Sequence, residues 1–151
     1  MPDRIMTCSA ALAEALHEEM TRDETIFILG EDLTAHAGVF GQFKGIPENF
    51  PGRIIDTPIS EACIAGCGVG AALTGMRPII DFHFSDFVTC CMDELVNQTA
   101  KIRYMLGGQV KIPMVVWCPD GAGIRAAAQH SQSLEAWFVT GSQHLYGPET
   151  L

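Results

Sequence analysis

The 151-residue sequence predicts an α/β domain in which a parallel sheet is flanked by helices on both faces. Short, wholly apolar segments alternate with longer stretches of helical periodicity, and strands apolar on both sides belong in parallel sheets buried between helices. The breaks between them fall at clusters of Gly and Pro. With 48% hydrophobic and 18% charged residues and no low-complexity run, the chain has the apolar content of one domain with a buried core, which excludes a disordered protein.

Thr7 or Ser9 can cap a first helix reaching about Met20, because Leu12, Ala15, Leu16 and Met20 recur at helical spacing with Glu14, Glu18 and Glu19 outside. Residues 25–29 then read as a buried strand. Gly38, Gly41, Gly45, Pro47, Pro51 and Gly52 predict a long shaped loop with little regular structure, followed by a short strand over 53–56. Ser60 can cap a second helix to Gly75, whose face of Ala62, Ala65, Gly66, Gly70 and Ala71 leaves room for a close neighbour or a ligand. A strand over 78–84 comes next. One helical stripe follows over 86–106 through Val88, Met92, Leu95, Val96, Ile102 and Leu106. A strand over 112–117 and an interrupted helix starting at 131–138 complete the alternation. Ligands in such sheets collect beyond the carboxyl ends of the strands. The chemistry is therefore expected in the loops holding Glu31 and Asp32, residues 57–61, residues 85–87, and Gln129 with His130.

Several functions are disfavoured by composition. A net charge of -9, with basic residues scattered singly, offers no cluster to grip phosphodiesters. No apolar stretch approaches the roughly 20 residues of a membrane span, and the N-terminus lacks a basic-then-apolar signal, so a cytoplasmic protein is expected. The six cysteines lie mostly in apolar runs and are expected to be buried and reduced.

Among candidate chemical groups, Glu61 opens the glycine-rich helix, where its charge could equally serve the helix dipole. His130 and Ser131 are neighbours in sequence, without the Gly-x-Ser-x-Gly elbow of a hydrolase. The histidines and cysteines lack paired metal-ligand spacing, so no metal site built by this chain alone is expected. Gly66-Cys67-Gly68-Val69-Gly70 lies inside a helix pattern, which is the wrong context for a dinucleotide loop. Phe82, Phe84 and Phe87 interleave with Asp81, His83 and Asp86, and ordinary core aromatics explain that pattern as well as a binding surface does.

Four stretches carry a resemblance: Asp56-Thr57-Pro58-Ile59-Ser60-Glu61-Ala62; Arg77-Pro78-Ile79-Ile80; residues 97–105 with Gly107 and Gly108; and Ala128-Gln129-His130-Ser131-Gln132. Over residues 5–138 the chain resembles the beta subunits of thiamine-diphosphate-dependent 2-oxoacid dehydrogenases. Cys90-Cys91 and residues 123–130 are most similar to the acetoin dehydrogenase version, with the pyruvate and branched-chain enzymes close by. The fold implied is the pyrimidine-binding domain of the transketolase type. The family continues beyond this helix with a further strand and a C-terminal domain, both expected to be absent here. Residues 139–151, with Trp137 and Phe138, instead resemble the first strand and loop of bacterial L-arabinose isomerase, so an unrelated tail on a chimeric chain is expected.

The resemblance implies thiamine diphosphate as cofactor, with magnesium and the diphosphate held by an alpha subunit and the aminopyrimidine held here. Glu61 matches the glutamate that hydrogen-bonds a pyrimidine nitrogen and activates the cofactor. Phe87 matches the aromatic packed on the pyrimidine face, and Ile59 and His83 fall beside it, although His83 stands where many relatives carry an apolar contact. His130 matches an entrance histidine suited to proton transfer or to aligning the lipoyl acyl acceptor, and Glu31 matches an acidic residue of a polar tunnel between two cofactors. An alpha subunit, a second beta chain and a dihydrolipoyl acyltransferase are the implied partners. The alternatives are a non-catalytic fragment that keeps the fold, or the pyrimidine domain of another transketolase-type enzyme.

Overall fold

The structure, a computed structural model, describes residues 4–142. Helix α1 (Cys8–Arg22) starts where Thr7 accepts a hydrogen bond from the Ala10 N–H at 3.1 Å, so the threonine is the cap. It ends where Asp23 turns to extended backbone, and it buries Leu16 and Met20. Strands β1 (Ile26–Gly30), β2 (Ile54–Asp56), β3 (Arg77–Asp81) and β4 (Val115–Trp117) form one parallel sheet in the order β2-β1-β3-β4.

The apolar strands divide their side chains between two cores, as the two-residue period of a strand requires. Ile26, Ile28, Ile79 and Trp117 face α1 and the 33–50 segment, joining Leu16, Met20, Leu33, Phe43 and Ile46. Phe27, Leu29, Ile80 and Val116 face the other way, joining Ile64, Ala65, Val88 and Leu95. Both faces are therefore covered, and the expected α/β sandwich is the observed one.

The loop expected between β1 and β2 holds two single helical turns, α2 (Leu33–His36) and α3 (Ile46–Asn49). Asp56 stabilises α2 from outside it, accepting hydrogen bonds from the Leu33 and Thr34 N–H groups and the Thr34 hydroxyl. Arg53 closes the excursion: its guanidinium donates to the carbonyls of Met20, Asp23 and Ile26 and lies over the Phe50 ring.

Helix α4 (Glu61–Leu73) lies where it was expected, but Ser60 makes no side-chain cap; only its carbonyl takes the first helical bond, from Ile64 N–H at 2.9 Å. The 86–106 stripe is not one α-helix. It is a 3-10 helix over Ser85–Cys91, a π-helix over Asp93–Thr99 and α5 (Ile102–Met105). A tighter winding followed by a looser one keeps Val88 and Leu95 on the buried face, so the hydrophobic period survived while the local geometry did not. Strand β4 is shorter than expected because Pro113 has no N–H to give a ladder and Met114 N–H turns back to the Ile112 carbonyl at 2.9 Å. Strand β3 stops at Asp81 because His83 adopts a left-handed φ of 61°.

The cysteine expectation is corrected. Cys8, Cys63, Cys67 and Cys90 are exposed, Cys118 is partly buried and only Cys91 is buried; all six are free. Cys63 and Cys67 lie one turn apart on the outer side of α4, because its apolar residues do not segregate and Ile64, Ala65, Gly68 and Val69 already fill the inner side. Helix α6 (Glu135–Ser142) crosses residues 138 and 139 without a break, and the rest of the tail with the isomerase resemblance lies outside the described residues. Among the described residues no helix is long and apolar enough to cross a membrane.

Candidate functional site

The chain runs from β1 outward to β2 and then crosses back to β3 on the other side of β1, which makes the β1/β3 junction the switch point of the sheet. Crevices form beyond the carboxyl ends of strands at such a point. Gly30 and Asp81 are register partners there, and a Cβ on Gly30 would stand 2.8 Å from the Asp81 carbonyl oxygen, so only glycine lets the two strand ends approach this closely.

The residues that follow β1 and β3 meet those at the start of α4. Glu31, next after Gly30, is partly buried; burial first and the nearby Glu61 carboxylate second hold its carboxyl above the usual glutamate range, with His83 acting in the opposite sense. Glu61 stands in the first turn of α4, where its charge faces the positive end of the helix. Along the outer side of that helix Gly66 and Gly70 leave open space, since a Cβ at either would meet nothing within 4 Å.

His83 is buried and anchored to a second buried acid. Its N–H donates to Asp81 Oδ1 at 2.8 Å, and its Nδ1 stands 3.6 Å from Asp81 Oδ2, close enough for ion pairing and too far for a hydrogen bond. Asp81 raises the His83 pKa above the ordinary histidine value against the opposing effect of burial, and Glu31 and Asp32 add to the rise. Asp81 itself is fully buried and takes a further bond from Gln42 Nε2 at 3.1 Å, so the long loop reaches under the site.

A second group of side chains is aromatic. Phe84 packs edge-on against Phe40, Phe87 and His130, with ring centroids 5.8, 5.9 and 4.9 Å apart, and His130 also meets Phe87 at 5.2 Å. Phe40, Phe84 and His130 line a cavity of about 140 Å³ with the 119–124 loop. Phe87 is tied to the core containing Ile64 of α4, which connects the aromatic group to the helix that carries Glu61.

Sequence reasoning placed Glu31, Glu61, Phe87 and His130 in these loops and His83 inside the strand expected over 78–84; the structure puts His83 past the end of β3, brings Glu31 together with Glu61 and His83, and brings Phe87 together with His130. Ile59 lies on the loop after β2 and is 80% exposed, outside both cores. Asp81 and Asp86 were named only in their alternation with the phenylalanines and given no role, and Gln42 and Phe40 were not singled out. Phe40 sits among glycines, and an aromatic in so flexible a stretch was the available signal. Gln42, which reaches Asp81, and Gln132, which reaches Asp86, are 39 and 46 residues distant from them, so no local pattern could show these two bonds.

These residues suit a flat nitrogen heterocycle such as the aminopyrimidine of a thiamine cofactor. Flat aromatic faces and carboxyl groups converge on one end of the sheet. Among the described residues no group of three or more His, Cys, Asp or Glu could hold a metal ion.

Comparison with known proteins agrees with this geometry. The family model described as "Transketolase, pyrimidine binding domain" matches residues 4–143. The chain is 43% identical over 146 residues to the acetoin:2,6-dichlorophenolindophenol oxidoreductase subunit beta of Cupriavidus necator, covering 90% of this chain and 43% of that one. It is 46% identical over 134 residues to the pyruvate dehydrogenase E1 component subunit beta of Rickettsia bellii, covering 88% and 41%. With the 2-oxoisovalerate dehydrogenase subunit beta of Bacillus subtilis it shares 43% identity over 136 residues, covering 89% and 42%. The chain thus spans less than half the length of these relatives. Over the part it spans, fold and identity agree: the chain belongs to the transketolase pyrimidine-binding-domain family, and it is similar to the corresponding part of the beta subunits of 2-oxoacid and acetoin dehydrogenases.

Proposed function

We infer that this chain holds the aminopyrimidine of thiamine diphosphate at an interface with an alpha subunit, in an enzyme that oxidises a 2-oxo acid or acetoin. The observation that carries this reading is the convergence of Glu61 and Glu31 at the switch point of the sheet, where the Glu61 charge acts on the partly buried Glu31 carboxyl. Bound there, thiamine diphosphate supplies a nucleophilic carbon and an electron sink for a carbonyl substrate. Glu61 donates a hydrogen bond to a ring nitrogen and moves a proton at that atom. Phe87 presents a flat apolar face that orients the ring without competing for its hydrogen bonds, and the Ile59 and His83 side chains border it. Burial and the neighbouring Glu61 charge bias Glu31 toward its protonated form, which lessens repulsion between the two carboxyl groups. His130, packed against Phe87, moves a proton at the substrate oxygen or aligns the lipoyl group of a dihydrolipoyl acyltransferase.

Magnesium and the diphosphate fall to the alpha subunit, and a second beta chain completes the assembly. The division of labour has a direct test in calorimetry of thiamine diphosphate with magnesium against this chain alone and against the chain mixed with an alpha subunit. Binding is expected only in the mixture. Micromolar, magnesium-dependent binding by the chain alone would overturn the division.

A further inference from the structure

The loop that carries His130 has few restraints of its own. Most of residues 121–132 is exposed, and Arg125 and Ala127 both adopt left-handed backbone, at φ 56° and 62°. The loop's side-chain hydrogen bonds to another element go, among the described residues, to one buried acid. Asp86, 5% exposed in the first turn of the 3-10 helix, accepts two hydrogen bonds at Oδ1 from Gln132: one from Nε2 at 2.7 Å and one from the backbone N–H at 3.3 Å. The Gln132 carbonyl in turn accepts from Gly121 N–H at 2.9 Å, so one residue both closes the loop and fastens it down. Inside the loop Ser131 Oγ accepts from Ala126 N–H at 2.9 Å.

His130 stands two residues before this clasp. Its ring packs edge-on against Phe87, the residue immediately after Asp86, and against Phe84 two residues before Asp86. The same short segment therefore grips the backbone of the loop through Asp86 and the imidazole through its aromatic neighbours. Asp86 Oδ2 is buried without a partner, as is the neighbouring Ser85 hydroxyl, and such groups destabilise a core. Packing alone gives no account of a carboxylate at this place.

We propose that Asp86 is a positioning residue for His130: by clasping Gln132 it fixes the 121–132 loop and sets the imidazole against Phe84 and Phe87 beside the pyrimidine site. The functional half of this proposal rests on the reading of His130 given above; the structural half does not. Substitution separates the clasp from packing. Asp86→Asn keeps an oxygen at the Oδ1 position and removes the charge, whereas Asp86→Ala removes the acceptor. Gln132→Ala is exposed, leaves the core untouched and deletes the shorter of the two bonds.

The test is NMR of the labelled 151-residue chain, following the His130 ring protons and the amide hydrogen exchange of Gly121, Ala126 and Gln132. The ring protons carry a ring-current shift from Phe84 and Phe87. In Asp86→Ala that shift is expected to collapse toward the value of an exposed histidine, and exchange at Gly121 and Gln132 to rise about tenfold to a hundredfold, as loss of a hydrogen bond to a charged group implies. Gln132→Ala should move the ring signals in the same direction, and Asp86→Asn should leave them in place. Exchange at Ile28 and Ile80 in the core serves as the folding control, and Gln132→Ala decides the matter if Asp86→Ala does not fold. Unmoved His130 signals in both alanine variants, or an Asn variant that behaves like the Ala variant, would overturn the clasp. In an assembly with the alpha subunit, Asp86→Ala should add no further loss of turnover once His130→Ala is present. A His130→Ala assembly with full turnover would refute the role given to His130 while leaving the NMR result to decide the clasp.

Discussion

Asp81 and His83 show how a strand end becomes a site. The acid is buried at the last position of β3, fixed by Gln42 and by the His83 N–H, and it holds the imidazole 3.6 Å away. Because His83 has a raised pKa in the folded chain, its contribution to stability is fully present below about pH 6.5 and is lost as pH rises through the folded value. The groups acting on it in that range are Asp81, Glu31 and Asp32. Asp81→Asn should therefore flatten the dependence of the urea midpoint on pH above about 6.5. Glu31 has the same sign for the opposite chemical reason: burial and Glu61 favour its protonated form, so folding loses stability as pH rises from about 4.5. Glu31→Gln should stabilise the chain at pH 7, by about 0.5 kcal/mol or less for a half-buried position. A lower melting temperature in that variant would contradict the assignment of burial as the main cause.

At the scale of elements, pattern was legible and winding was not. The α1 cap was readable because Thr7 acts within three residues, and Thr7→Ala should cost about 1 kcal/mol in chemical denaturation. The strands were readable because both their faces are apolar. The 85–105 segment misled because a 3-10 turn followed by a π turn preserves the average hydrophobic period, and period alone cannot report how each turn is wound. Gly30 was not singled out, since the need for it arises from a strand 51 residues later in register, opposite Asp81. Gly30→Ala should force β1 and β3 apart at the switch point and cost about 1–3 kcal/mol by overpacking, measurable as a fall in melting temperature.

For the whole molecule, candidate residues could be named where they sit in a recognisable string, as Glu61 and His130 do, while the bonds of Asp81 to Gln42 and of Asp86 to Gln132 were hidden by their distance in sequence. Burial was the weakest expectation, because an apolar neighbourhood in sequence does not say which side of α4 meets the sheet. The cysteines make that difference measurable. Burial pushes the Cys91 thiol up to about 12 and the Cys118 thiol up to about 11, so both stay protonated and shielded, while Cys8, Cys63, Cys67 and Cys90 are exposed. Titration of the folded chain with a disulfide reagent should modify those four quickly and the remaining two only on unfolding.

The central claim is that Glu61 does proton chemistry at the pyrimidine and is more than a first-turn charge on α4. Glu61→Gln separates the two, since the amide is nearly the same size and can still donate a hydrogen bond but cannot give up a proton. The measurement is exchange of the thiazolium carbon-bound proton of thiamine diphosphate with deuterated water, by quenched-flow NMR on the complete assembly with its alpha subunit. A proton-transferring Glu61 predicts cofactor binding largely intact and exchange slowed on the order of a hundredfold to ten-thousandfold. An exchange rate within about twofold of the parent would contradict it.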